Sequence, residues 1–137
     1  MGQQQLLLII LGVIIVGIAV AVGITMFQDN AVDQNRSAVI ADLTTLAAKA
    51  QQYYSKPITL SGGGNSFVGL TANAFGIGIL ASPAFTDNTN GTYTIKTAGD
   101  GTQVVLHGVG KTPMSDGTYP TYDMTVTAQT QTPTKVN

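Results

Sequence analysis

Residues 6–27 read LLLIILGVIIVGIAVAVGITMF and carry no charged side chain. As a helix, roughly 22 residues extend about 33 Å, the hydrocarbon thickness of a bilayer. A helix that is apolar all round needs cover on every face. The run cannot be the core of the small domain expected from the other residues. The run must therefore meet lipid, or other copies of itself.

Three fates suit such a run. A cleaved secretory signal has a basic n-region and a shorter apolar core, and no Lys or Arg precedes residue 36 here. A permanent single-span anchor fits by length but lacks the basic flank that sets topology. A span stored in a membrane and later packed among copies of itself fits best. Its packing surface begins with Leu6, Leu7, Leu8, Ile9, Ile10 and Leu11. It continues through Val13, Ile14, Ile15 and Val16, then Ile18, Val20, Val22, Ile24 and Phe27. Gly12, Gly17 and Gly23 interrupt it. Small residues let helices approach closely in an apolar medium, and glycines are also where a helix can melt. With no proline in the run, a continuous helix is favoured.

The helical pattern does not stop at Phe27. Val32, Val39, Leu43, Leu46, Ala50 and Tyr53 recur mostly at three- and four-residue steps, widened by Ile40, Ala47 and Tyr54. This is one stripe of an amphipathic helix. Asp33, Arg36, Asp42, Lys49 and Gln52 fall off the stripe. Pro57 disfavours helical geometry in the residue before it. One helix of about 50 residues is predicted, roughly 75–80 Å long.

The rest is rich in turn residues. Residues 61–65, SGGGN, read as a loop. Phe67, Val68, Leu70, Phe75, Ile77, Ile79 and Leu80 offer apolar packing, in a short helix or irregular chain. Tyr93 and Ile95 alternate with Thr94 and Lys96. Asp100-Gly101 is a hairpin turn signal, followed by a strand over residues 103–109. Tyr122, Met124 and Val126 share one face of a third strand, with Asp123, Thr125 and Thr127 on the other. The expected class is α+β: a long N-terminal helix packed on a small C-terminal antiparallel sheet of three or four strands. Three parts follow: residues 1–27, apolar; 28–56, amphipathic; 57–137, a β-rich surface domain.

Charged residues make up 9% of the chain and the net charge is −1. No basic cluster exists to neutralise phosphates, so no specific nucleic-acid partner is expected. Cysteine is absent, which excludes disulfides and thiolate metal sites. A small outer domain without staples gains support from oligomerisation.

An uncharged N-terminal run leading into an amphipathic helix, then a small antiparallel sheet, resembles the type IV pilins and the related pseudopilins. The resemblance rests on residues 1–54; the remainder matches in outline. It implies a filament subunit, with apolar half-helices bundled at the centre and sheets outside. It also implies prepilin peptidase, an assembly machinery and the inner membrane as partners before assembly. In that family a basic leader is removed and the new N-terminal residue is methylated. Met1 would be that residue, with the numbering mature. The family's glutamate would then fall at Gln5, whose neutral amide offers only a hydrogen-bond acceptor to a neighbour's terminal amine. Bacterial members commonly carry a proline late in the apolar half, and this chain has none there.

Chemistry is sparse. His107 is the single histidine; Asp123 or Asp116 could join it in a Ser–His–Asp arrangement, but no nucleophile elbow is present. Asp100-Gly101-Thr102 and Asp116-Gly117-Thr118 supply too few oxygens for calcium without further ligands. Gly62–Gly64 lacks the Lys-Ser/Thr of a phosphate loop. Asn35-Arg36-Ser37 and Asn90-Gly91-Thr92 fit the N-glycosylation pattern. The expectation is a non-enzymatic, cofactor-free subunit of an extracellular type IV pilus-like filament, stored in the cytoplasmic membrane and displayed at the cell surface. The alternatives are a pseudopilin of a type II secretion system and a single-span anchored binding protein.

Overall fold

The computed structural model describes residues 2–72 and 74–137, apart from the side chains of Ala74 and Phe75. Met1 and the packing role read for Phe75 lie outside the described residues.

Helix α1 runs unbroken from Gly2 to Ser55, about 80 Å at 1.5 Å per residue. Pro57 stops it. Three of the last carbonyls of the helix find partners. Lys56 N–H donates to Gln52 O at 3.0 Å, Gly63 N–H to Tyr53 O at 2.7 Å and Asn65 N–H to Tyr54 O at 2.7 Å. The glycine run makes this possible: a Cβ on Gly63 would sit 1.8 Å from Ser66 O. A single 3₁₀ turn, Ile58–Leu60, leads into it. The loop read from composition is thus a compact cap on the helix C-terminus.

Two short helices follow, α2 (Ala74–Leu80) and α3 (Pro83–Thr86). Ser82 caps α3 by accepting from Ala84 N–H, with Pro83 at the first turn. Four strands then form one antiparallel sheet in the order β1 (Gly91–Thr97), β2 (Gln103–Gly110), β3 (Thr121–Thr127), β4 (Gln131–Lys135). Asp100 shapes the β1–β2 turn, its Oδ1 accepting from the N–H groups of Thr102 and Gln103. Pro133 sits in β4, an edge strand, where its missing donor is tolerated.

The architecture is α+β, as expected from the sequence. One face of the sheet lies on the second half of α1. Leu106 opposite Met124 and Val104 opposite Val126 point inward. They meet Val39, Leu43, Leu46, Ala47 and Ala50 from α1. Phe67, Leu70, Ile77 and Leu80 close the end of this core. Two expected packing residues do not join it: Val68 is 62% exposed and Ile79 also faces outward. Gly69, at φ 106°, turns the chain between Val68 and Leu70, so only Phe67 and Leu70 point in. Ile77→Val is expected to cost about 1 kcal/mol, read by urea unfolding. A silent substitution would mean α2 is not part of the cooperative core.

Candidate assembly surface

The head covers only part of α1. Every buried residue of the helix lies between Val32 and Ala50. Residues 6–27 touch no other element, and the side chains from Leu6 to Phe27 stand open, Phe27 at 79% exposure. This part of α1 is long and apolar enough to cross a membrane, and none of it is buried. A Cβ placed on Gly12, Gly17 or Gly23 would meet nothing within 4 Å. The helix is continuous through all three, so none is melted in the single chain. Gln5 is exposed near its start. The one hydroxyl in the run, Thr25, donates to Val22 O at 2.8 Å, which leaves no hydroxyl proton unsatisfied in an apolar surrounding.

The back of the amphipathic half is built from small residues. Ser37, Ala41, Thr44, Thr45 and Ala48 are exposed there. Three hydroxyls fold back onto the helix: Ser37 to Asp33 O, Thr44 to Ile40 O and Thr45 to Ala41 O. The result is a smooth, uncharged strip.

Asp42 fastens α1 to the head. Its Oδ2 accepts from Tyr93 O–H at 2.6 Å, Asn88 Nδ2 at 3.0 Å and Asn90 Nδ2 at 3.1 Å. Burial raises the Asp42 pKa, but donation from Tyr93, Asn90 and Asn88 outweighs it and holds the carboxyl below its usual range. Burial and the Asp42 carboxylate push the Tyr93 hydroxyl up. Sequence patterning does not reveal this cluster, because Asp42 lies 46 to 51 positions before its donors.

Both glycosylation candidates are occupied in the fold. Asn35 is 8% exposed. Its Nδ2 donates to Asn90 O at 2.7 Å, and its Oδ1 accepts from Thr112 N–H at 3.3 Å. The sequence placed Asn35 on a helix without showing what packs beside it. Asn90 is half-buried and its amide nitrogen serves Asp42.

His107 is half-buried on the outer face of the sheet, opposite Asp123 across the β2–β3 ladder. Asp123 holds both His107 Nδ1 and Lys96 Nζ. Burial raises its pKa; hydrogen bonds from Lys96 and His107 and their charges more than reverse that. Among the described residues no serine or threonine hydroxyl is hydrogen-bonded to His107, and Asp116 is elsewhere. Asp116 and Asp100 instead accept from Thr118 and Thr102 within their own turns. Among the described residues no three of His, Asp and Glu converge as metal ligands.

No described protein family matches the sequence, and no curated protein or solved structure is detectably similar to it.

Proposed function

We propose that this chain is the non-enzymatic structural subunit of an extracellular type IV pilus-like filament. The observation that carries the reading is one continuous helix with two environments. Its second half is the spine of a folded head, and its first half is a bare apolar rod. Burial is worth about 0.8 kcal/mol per CH₂, so a rod of Leu, Ile and Val leaves lipid only for an equally apolar setting. A bundle of the same rods provides it. The small-residue strip at Ser37, Ala41, Thr44, Thr45 and Ala48 favours this reading, because it lets a neighbouring helix approach the head segment closely. The heads then coat the fibre with threonine and other uncharged polar groups. Before assembly the rod rests in the cytoplasmic membrane.

The test is electron microscopy of material sheared from intact cells, with mass spectrometry of the same fraction. Thin filaments composed of this chain are the expected result. A chain found only in detergent-solubilised membrane would favour the second reading, a single-span anchor presenting the head to a partner. That reading draws on the same membrane-length helix.

A further inference from the structure

From the placement of its charges, we infer that successive copies of this chain join head to tail. The distal end of the amphipathic half of α1 receives the proximal end of the next copy. The inference rests on the filament reading above.

Charges are few: six Lys and Arg, and seven acids. Arg36, Lys96 and Lys111 are committed within the chain, to Asp33, Asp123 and Asp87. Asp42 is held by Tyr93 and two asparagines. Lys49 and Lys56 are exposed and, among the described residues, form no ion pair. They line one recess together with Tyr53, Ile79 and Leu80. Ile58 and Leu60 stand exposed at the same end.

The opposite end of the head is acidic. A cleft of about 350 Å³ is lined by Asp29, Asp33, Asp116, Arg36 and Met114. Three carboxylates there face one guanidinium. Phe27 lies beside it, lining the neighbouring recess with Asp33. Both ends thus carry exposed apolar side chains; Lys49 and Lys56 sit together in the distal recess, and carboxylates outnumber the one guanidinium in the proximal cleft.

Helix geometry decides how the ends can meet. Twenty-seven positions separate Asp29 from Lys56. That is about seven and a half turns, which puts Asp29 and Lys56, the residue just past α1 whose N–H still bonds to Gln52 O, on opposite sides of the helix axis. Asp33 and Lys49 are also nearly opposed. Parallel copies standing side by side can then place the basic face of one against the acidic face of the next. Such a contact uses two different patches, so it does not close on itself and propagates as an open fibre. At 1.5 Å per residue the two copies are offset by about 40 Å. The offset sets residues 6–27 of the upper copy level with residues 33–54 of the lower. The uncharged strip from Ser37 to Ala48 lies in that window. Phe27 of the upper copy arrives beside the end of the lower copy's helix, near Ile58, Leu60 and Ile79, and its Asp29 arrives at Lys56.

The chain has no cysteine, so D29C and K56C can be introduced together without background. Sheared filaments of the double variant are treated with a short bismaleimide cross-linker. A ladder of dimers, trimers and longer species is expected, and neither single variant should give one. As a second measure, Asp29→Lys and Lys56→Asp should each lower filament yield by roughly three- to ten-fold, and the two together should restore it. Normal filaments with no ladder, or with dimers alone, overturn this contact while the filament reading stands. Failure of the unaltered chain to form filaments overturns the filament reading, and this contact with it.

Discussion

Val13→Asp is expected to lower filament yield at least a hundred-fold while leaving the head intact. Val13 is 67% exposed in the single chain and lies far from the residues that pack on the sheet. The head should therefore unfold at the same urea concentration as the unaltered protein. The cost appears at assembly. An aspartate at the centre of a membrane helix costs about 2.5–3.5 kcal/mol on insertion scales, and the rest of this run is apolar enough to keep the helix in the membrane. In a dry bundle the effective penalty is several kcal/mol per ion, and every subunit contributes one. No basic residue lies in residues 6–27 of any copy to pair with it. Two to three kcal/mol already amounts to about a hundred-fold in an equilibrium constant. Val13→Leu keeps the surface apolar and should assemble normally. Abundant filaments of Val13→Asp, seen by microscopy of sheared material, would show that the apolar rod does not form the fibre's interior.

The features that produce this expectation were open to view in the sequence because they are local. Twenty-two uncharged residues need no tertiary information to declare a bare rod. The stripe from Val32 to Tyr53 gave the face of α1 that the sheet covers, since helical period alone fixes which side chains align. Strand alternation likewise placed Tyr93, Ile95, Tyr122, Met124 and Val126 inward, where all five are found. The failures are long-range. Val68 and Ile79 belong to segments without a clean period, and backbone turns decide their direction. Asn35 falls on α1, and nothing in its neighbourhood announces that Asn90 O and Thr112 N–H arrive beside it. Gly110 records the same contact from the other side: a Cβ there would meet Asn35 Oδ1 at 2.1 Å. The opposed charges on α1 are readable from 3.6-residue geometry, but which of them are free depends on the ion pairs that the fold makes.

Asp42→Ala is expected to destabilise the head by about 2–4 kcal/mol at pH 7. The carboxylate accepts three side-chain hydrogen bonds at one oxygen, and hydrogen bonds to charged groups contribute about 1.5–3 kcal/mol each. Water can reach this half-buried position and recover part of the loss. For a domain of this size the melting temperature should fall by roughly 10–20 °C. Asp42→Asn should lose less, because its amide oxygen still accepts from Tyr93. The acid response separates a charge effect from packing. The folded Asp42 carboxyl has its pKa lowered, against about 3.9 when unfolded. Its contribution is therefore complete above the unfolded value and disappears as pH falls through the folded one. Unfolding in urea at pH 7 and at pH 3 should show the gap between Asp42→Ala and the unaltered chain narrowing at the lower pH. Asp87, Asp100, Asp116 and Asp123 are also shifted down, but they are common to both proteins and cancel in the difference. A gap that stays constant across this range would assign the Asp42 effect to packing and not to charge. In a fibre the consequence is mechanical. Tyr93, Asn88 and Asn90 all hydrogen-bond to the spine at this one oxygen, so losing it removes three of the contacts that hold the head to the helix.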